Sequence, residues 1–225
     1  MTEETKRSGA EGKPAGYYAS VRWDILPLMP RGGGRLLDIG CGEGATAAFL
    51  KQEGYCSWAC GLEVFPDAAA TARAKLDQVI EGDIETMDVP LQPGSLDVVL
   101  CLDVLEHLVD PWAAVAKLAA LLAPGGLLIA SIPNIRCLKV LAPLLFLGRF
   151  QYCDQGLLDR THLRFFTRRT AIELIESGGL AIRQAPPRLG QYGRIINILT
   201  LSLFSEFLAP QYLIVGARDH NRDTQ

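Results

Sequence analysis

The chain reads as an α/β protein, a mostly parallel sheet with helices on both faces, and three observations carry that reading. Short apolar runs of five to seven residues alternate with helix-compatible stretches along most of the chain. One of these runs, Leu36 to Ile39, leads directly into a turn with glycines at alternate positions, Gly40, Gly42 and Gly44. Helix boundaries are punctuated by acid-proline and glycine-glycine pairs. Alternation of this kind packs strands side by side in parallel, because each helix must cross back over the sheet before the next strand begins.

In chain order, strands are expected at Arg35 to Ile39, Trp58 to Val64, Gln78 to Glu81, Leu96 to Leu102 and Leu127 to Ile132. Asp110-Pro111 places an N-cap acid before a first-turn proline, and Pro124 to Gly126 stops the same helix. Thr170 can cap a helix over Ala171 to Ser177, which Gly178-Gly179 terminates. Beyond it, Leu180 to Gln184 and Gln211 to Ala217 read as two further strands, separated by Pro186, Pro187 and an apolar run.

With 225 residues, 49% hydrophobic and 21% charged, the chain suits one well-cored domain, residues 16–218, flanked by polar tails at 1–15 and 219–225 that are expected to be mobile. A net charge of −3 without a basic run gives no footprint for nucleic acid. The six cysteines, Cys41, Cys56, Cys60, Cys101, Cys137 and Cys153, lie scattered without a C-x-x-C pair or a histidine at zinc-ligand spacing. They read as small core residues of a reducing compartment, and no metal is expected. The first residues lack an apolar signal region, so the expected location is cytoplasmic.

The glycine turn is the strongest pointer to chemistry. Its glycines admit a sharp bend and close approach of a ligand to the backbone, and the helix that follows offers free N–H groups. Gly40, Gly42 and Ala45 also satisfy the dinucleotide pattern G-x-G-x-x-G/A, with Glu63 about twenty residues on. Asp38 decides between the two. A carboxylate just before the turn would repel a pyrophosphate, whereas S-adenosylmethionine has no phosphate and carries an ammonium that an acid can hold. Glu63, closing the second strand, can accept from both ribose hydroxyls. Asp83 can accept from the adenine amino group while the Ile84 N–H reaches a ring nitrogen. Asp103 ends the fourth strand at the edge where open sheets bind ligands, and is read as a further cofactor residue, with Glu106 and His107 following it. His107 is a general-base candidate.

These motifs together, D-I-G-C-G-E-G, G-L-E-V, G-D-I-E, L-C-L-D-V-L-E-H-L and L-L-A-P-G-G-L-L-I-A-S-I-P-N in that order, resemble the class I S-adenosylmethionine-dependent methyltransferases over residues 17–217. The resemblance implies a Rossmann-like seven-stranded sheet of order 3-2-1-4-5-7-6 with strand 7 antiparallel. A narrower likeness rests on Tyr17-Tyr18 with Arg22 and Asp24, on Ser131 to Asn134, and on L-L-D-R-T-H-L-R-F-F-T at Leu157 to Thr167. It is similar to a bacterial branch associated with glycosyltransferases and surface-polysaccharide assembly. Cys137 stands where that branch carries a histidine.

The resemblance places an acceptor-side insertion at about 134–169. Within it Asp159, Arg160, His162, Arg164, Phe165 and Phe166 mix charge with aromatic rings, as suits a small polar acceptor such as a sugar or glycan intermediate. Tyr17, Tyr18, Asn134, Arg164 and Phe165 are the expected acceptor ligands, and His162 joins His107 as a candidate base. The apolar runs Leu138 to Leu147 and Ile195 to Leu208 are too short to span a membrane. They are read as a lid or a homodimer contact, with interfacial membrane association as the second reading. A competing function is that of a regulatory partner of a biosynthetic enzyme. It resembles the methionine-biosynthesis protein that supports a homoserine acyltransferase, with Gly148-Arg149 comparable to a Gly-Arg element there.

Overall fold

The computed structural model describes residues 20–219. The expected tail at 1–15, Tyr17, Tyr18 and residues 220–225 lie outside them. The strands are β1 (Gly34–Ile39), β2 (Cys56–Glu63), β3 (Gln78–Glu81), β4 (Leu96–Leu102), β5 (Leu122–Pro133), β6 (Leu180–Gln184), β7 (Pro187–Arg188) and β8 (Gln211–Arg218). They form one sheet of order β3-β2-β1-β4-β5-β8-β6, with β7 paired to β8. The β8 strand runs antiparallel to both β5 and β6. The seven-stranded order therefore holds, with β8 as its antiparallel member. The two-residue β7 is an addition that the proline pair Pro186-Pro187, whose second member begins it, did not suggest.

Helices cover both faces: α1 (Ala45–Gln52), α2 (Pro66–Ala72), α3 (Pro111–Leu121) and α5 (Arg168–Ser177) belong to the alternating frame. Helix α4 (Leu138–Leu147) lies in the insertion, and α6 (Gln191–Leu199) and α7 (Ser205–Leu208) precede β8. Because successive side chains on a strand point to opposite faces, each central strand feeds two cores. Leu36, Val98, Leu100 and Ile129 pack with Leu50 and Ala72 on one face, beside Ile25 of a 3-10 segment, Trp23–Leu28. Leu37, Val99, Cys101 and Leu128 pack with Leu118, Leu174 and Ile175 on the other.

The helix ends follow their local chemistry with one correction. Asp110 caps α3, its Oδ1 accepting from the Ala113 N–H at 3.0 Å, with Pro111 in the first turn. The α5 cap is Thr167, not Thr170. Thr167 Oγ1 accepts from the Thr170 N–H while Thr170 Oγ1 accepts from the Thr167 N–H, a reciprocal box that starts the helix three residues earlier. Five cysteines are buried as expected, but Cys153 is exposed in the insertion. Among the described residues no helix is long and apolar enough to cross a membrane. Both apolar runs leave large side chains in solvent, among them Leu145, Phe146, Ile198 and Leu199.

Candidate functional site

All the parallel strands end at one edge, and the sequence motifs gather there. The chain leaves β1 through Gly40, whose N–H donates to Leu62 O at 2.8 Å, as does the Cys41 N–H at 3.2 Å. Gly40 has φ +65°, and a Cβ there would lie 2.9 Å from Val104 Cγ2. Only glycine combines that backbone with so close an approach to the end of β4. The turn thus sits between β2 and β4, open at the sheet edge, before the N-terminus of α1.

Two buried acids flank it. The Glu63 carboxylate accepts from Gly42 N at 2.7 Å, Val64 N at 2.9 Å and Phe65 N at 3.0 Å. Burial raises its pKa, and the three N–H donors oppose that rise. A carboxylate offers about four acceptor positions. Three are taken here, so one position is left for a ligand donor, and the two-hydroxyl grip expected from the sequence would require an N–H donor to give way.

Asp38 is buried on β1. Its pKa is pushed up to about 7, first by burial and then by the Glu63 carboxylate, with Arg22 pulling the other way. The sign of the consequence follows from linkage. The folded state holds this proton more tightly than the unfolded chain, so the contribution to stability is complete below about pH 4 and is lost as pH rises through about 7. Asp38→Asn should therefore be more stable than wild type at pH 8, by on the order of a few kcal/mol, and no more stable near pH 4. Thermal unfolding across that range checks it, and parallel pH profiles for the two proteins would refute the assignment.

Asp103 has φ +60°, an uncommon conformation for a residue with a side chain. Its carboxylate accepts from Arg22, from Ser131 Oγ at 3.0 Å and from Gln211. Arg22 also grips Asp24 through two bonds of 3.0 Å and reaches Ser131 Oγ at 3.1 Å. Donors from three separate elements thus meet at Asp103, and its carboxylate ties the segment before β1 across the ends of β4, β5 and β8. Asp83 accepts from the Glu85 N–H at 3.0 Å at the end of β3, and the Ile84 side chain is buried in the core.

The acceptor-side residues divide. Asn134 is 1% exposed; its Nδ2 donates to Glu206 O at 2.7 Å and Ala209 O at 2.8 Å, and its Oδ1 accepts from Arg136 N at 3.1 Å. It is a brace between the insertion and α7. Cys137 is buried at the start of α4. Arg164 donates through Nε at 3.1 Å, and again through Nη2, to Val109 O, with its guanidinium beside Trp112. Phe165 joins Phe150 and Tyr152 in a ring cluster that reaches His162 at 6.4 Å between centroids.

His107 and His162 meet although they lie far apart in sequence, their rings edge to face at 4.7 Å. Backbone bonds impose the meeting. The Leu163 and Arg164 N–H groups both donate to Glu106 O, at 2.9 and 3.0 Å, clamping the insertion onto the 3-10 turn Leu105–His107. His107 Nδ1 faces Thr161 O at 3.1 Å and His162 Nδ1 faces Leu157 O at 3.3 Å. Glu106, between them, is the residue that sequence reasoning undervalued. It is 1% exposed, and among the described residues neither carboxylate oxygen has a hydrogen-bond partner. Its signal was its place after Asp103 at the end of the fourth strand, directly before His107.

A doubly covered parallel sheet with an antiparallel strand β8, a glycine turn after β1 and an acid closing β2 defines the class I S-adenosylmethionine-dependent methyltransferases. The chain belongs to the methyltransferase-domain family, whose family model matches residues 16–185. It is 35% identical over 128 residues to the ubiquinone biosynthesis O-methyltransferase of Xanthomonas campestris pv. campestris, a match covering 54% of this chain and 53% of that protein. The chain spans about half the length of the curated relatives it matches. Among solved structures it is similar to an S-adenosylmethionine-dependent methyltransferase from Mesorhizobium loti, with TM-score 0.63, 20% identity and coverage of 88% of this chain and 98% of that one. A second, from Archaeoglobus fulgidus, has TM-score 0.63 and 18% identity, covering 96% and 95%.

Proposed function

We propose that this chain transfers a methyl group from S-adenosylmethionine to a heteroatom of a small polar acceptor, oxygen first and nitrogen second. The observation that carries the reading is the glycine turn flanked by the buried acids Asp38 and Glu63. That pair suits a ligand with a positive charge and hydroxyl donors, and its charge disfavours a pyrophosphate. Bound there, S-adenosylmethionine supplies an electrophilic methyl group.

The chain's own contribution is alignment and proton handling. Glu63 takes a ribose hydroxyl, Asp83 and Ile84 flank the adenine, and Asp38 faces the cationic end. Asp103 and Arg22 hold the crevice's far wall in place. Alignment of a bound nucleophile on its target contributes several kcal/mol, on the order of what intramolecular models give. A hydroxyl acceptor must also lose its proton, and His107 and His162 stand where the insertion meets the end of β4. Arg164 and Phe165 offer a donor and a ring for orienting the acceptor. The names of the curated relatives favour oxygen, and the mixture of rings and charges in the insertion suits a sugar or glycan intermediate.

Acceptor-dependent release of S-adenosylhomocysteine across sugars, phenols, amines and carboxylates tests the reading. Turnover with at least one hydroxyl-bearing class is expected. Tighter binding of NAD than of S-adenosylmethionine would overturn it.

A further inference from the structure

We propose that Glu106, His107 and His162 form a binding site for one first-row divalent metal ion, of the zinc type, at the acceptor side of the crevice. One carboxylate oxygen and one ring nitrogen from each histidine lie within 4.8 Å of one another. Ligands of a tetrahedral zinc at roughly 2.0–2.2 Å stand about 3.4 Å apart, so the widest gap needs to close by little more than about 1 Å.

Three independent features prepare the cluster for a cation. First, the Glu106 carboxylate is buried with both oxygens lacking a hydrogen-bond donor among the described residues. Such a group is costly to bury unless something positive meets it. Second, a backbone carbonyl can only accept, so in the contacts of His107 with Thr161 O and of His162 with Leu157 O it is the Nδ1–H that donates. A second hydrogen bond of this kind is what orients a metal-ligating imidazole. Third, the rings are held by backbone bonds. Glu106 O takes two N–H groups from the residues after His162, and Asp159 Oδ1 accepts from Thr161 N at 3.0 Å and from Thr161 Oγ1 at 2.7 Å.

Two imidazoles and one carboxylate suit zinc, iron or cobalt better than the oxygen-seeking magnesium and calcium. Three protein ligands leave positions open, as in catalytic zinc sites. The ion site stands by itself; only its further use, taking an acceptor oxygen at an open position, rests on the methyl-transfer reading.

The test uses the full chain, stripped with a chelator and titrated with Zn²⁺ and with Co²⁺ as a spectroscopic probe. One ion per chain is expected, and Zn²⁺ X-ray absorption should show two imidazole ligands and no sulfur. Glu106→Gln, which keeps the side chain's volume, and His162→Ala should each weaken Zn²⁺ binding by roughly 100-fold or more. Circular dichroism and S-adenosylmethionine binding check that the variants fold. Wild type that binds no stoichiometric ion, sulfur ligation, or folded variants that bind as tightly as wild type would each overturn the site. Methyl transfer that persists in ion-free protein would separate this outcome from failure of the functional reading, as would ion binding without any turnover.

Discussion

Replacing His107 or His162 by alanine should lower methyl transfer by about 10² or more for at least one of the two, with affinity for S-adenosylmethionine kept within about threefold. The separation follows from position. Glu63, Asp83 and Ile84, proposed for the adenosyl end, belong to the ends of β2 and β3, whereas the two imidazoles meet where the insertion clamps the turn after β4. A general base contributes about 10²- to 10⁴-fold, and loss of a ligand to an activating ion gives a comparable fall. His162 is 9% exposed and bonded to Leu157 O, so its removal also strands a backbone acceptor. Thermal unfolding of each variant must therefore accompany kinetics. A melting point that falls together with cofactor affinity and turnover would mark a structural histidine. Two stable, cofactor-binding variants with undiminished turnover would move the chemistry away from this pair.

Glu63→Ala should weaken S-adenosylmethionine binding by about ten- to hundredfold, the equivalent of about 1 to 3 kcal/mol. The structure adds a second consequence. The same carboxylate holds the N–H groups of Gly42, Val64 and Phe65, so alanine releases the glycine turn as well as the proposed ribose contact. The variant should lose stability even without ligand. Glu63→Gln retains volume and one acceptor oxygen and should fall between alanine and wild type in both respects. Calorimetry and unfolding separate the two effects. Normal cofactor affinity in Glu63→Ala would remove that contact from the reading while leaving the turn's structural debt to Glu63 intact.

The frame of the protein was legible because it is written in local terms. Strands β3, β4 and β6 fall on the expected residues, and the remainder differ mainly at their ends. Buried parallel strands read as short apolar runs, and Asp110-Pro111 and the glycines of the turn mark conformations that few other residues adopt. What failed locally failed between near neighbours: the α5 cap moved from Thr170 to Thr167 because both hydroxyls lie within one helical turn of the boundary, and geometry chose the reciprocal pair. Cys153 escaped the core because it lies in the insertion, whose path no periodicity describes.

The sequence by itself determined the alternating α/β frame and the glycine turn after β1, with Asp38, Gly40, Gly42 and Glu63 at one edge of the sheet. Only the tertiary structure decided what the polar residues there do. Asn134 became a brace because α7 brings the Glu206 and Ala209 carbonyls to it. Asp103 became a junction because Arg22 and Gln211 arrive from opposite ends of the chain. Glu106, His107 and His162 became one cluster because two backbone N–H groups fold the insertion onto a 3-10 turn. Periodicity and capping follow from interactions within a few residues. Side-chain partnership across a long loop depends on how the loop closes, and that is fixed by packing and backbone hydrogen bonds that no local pattern records.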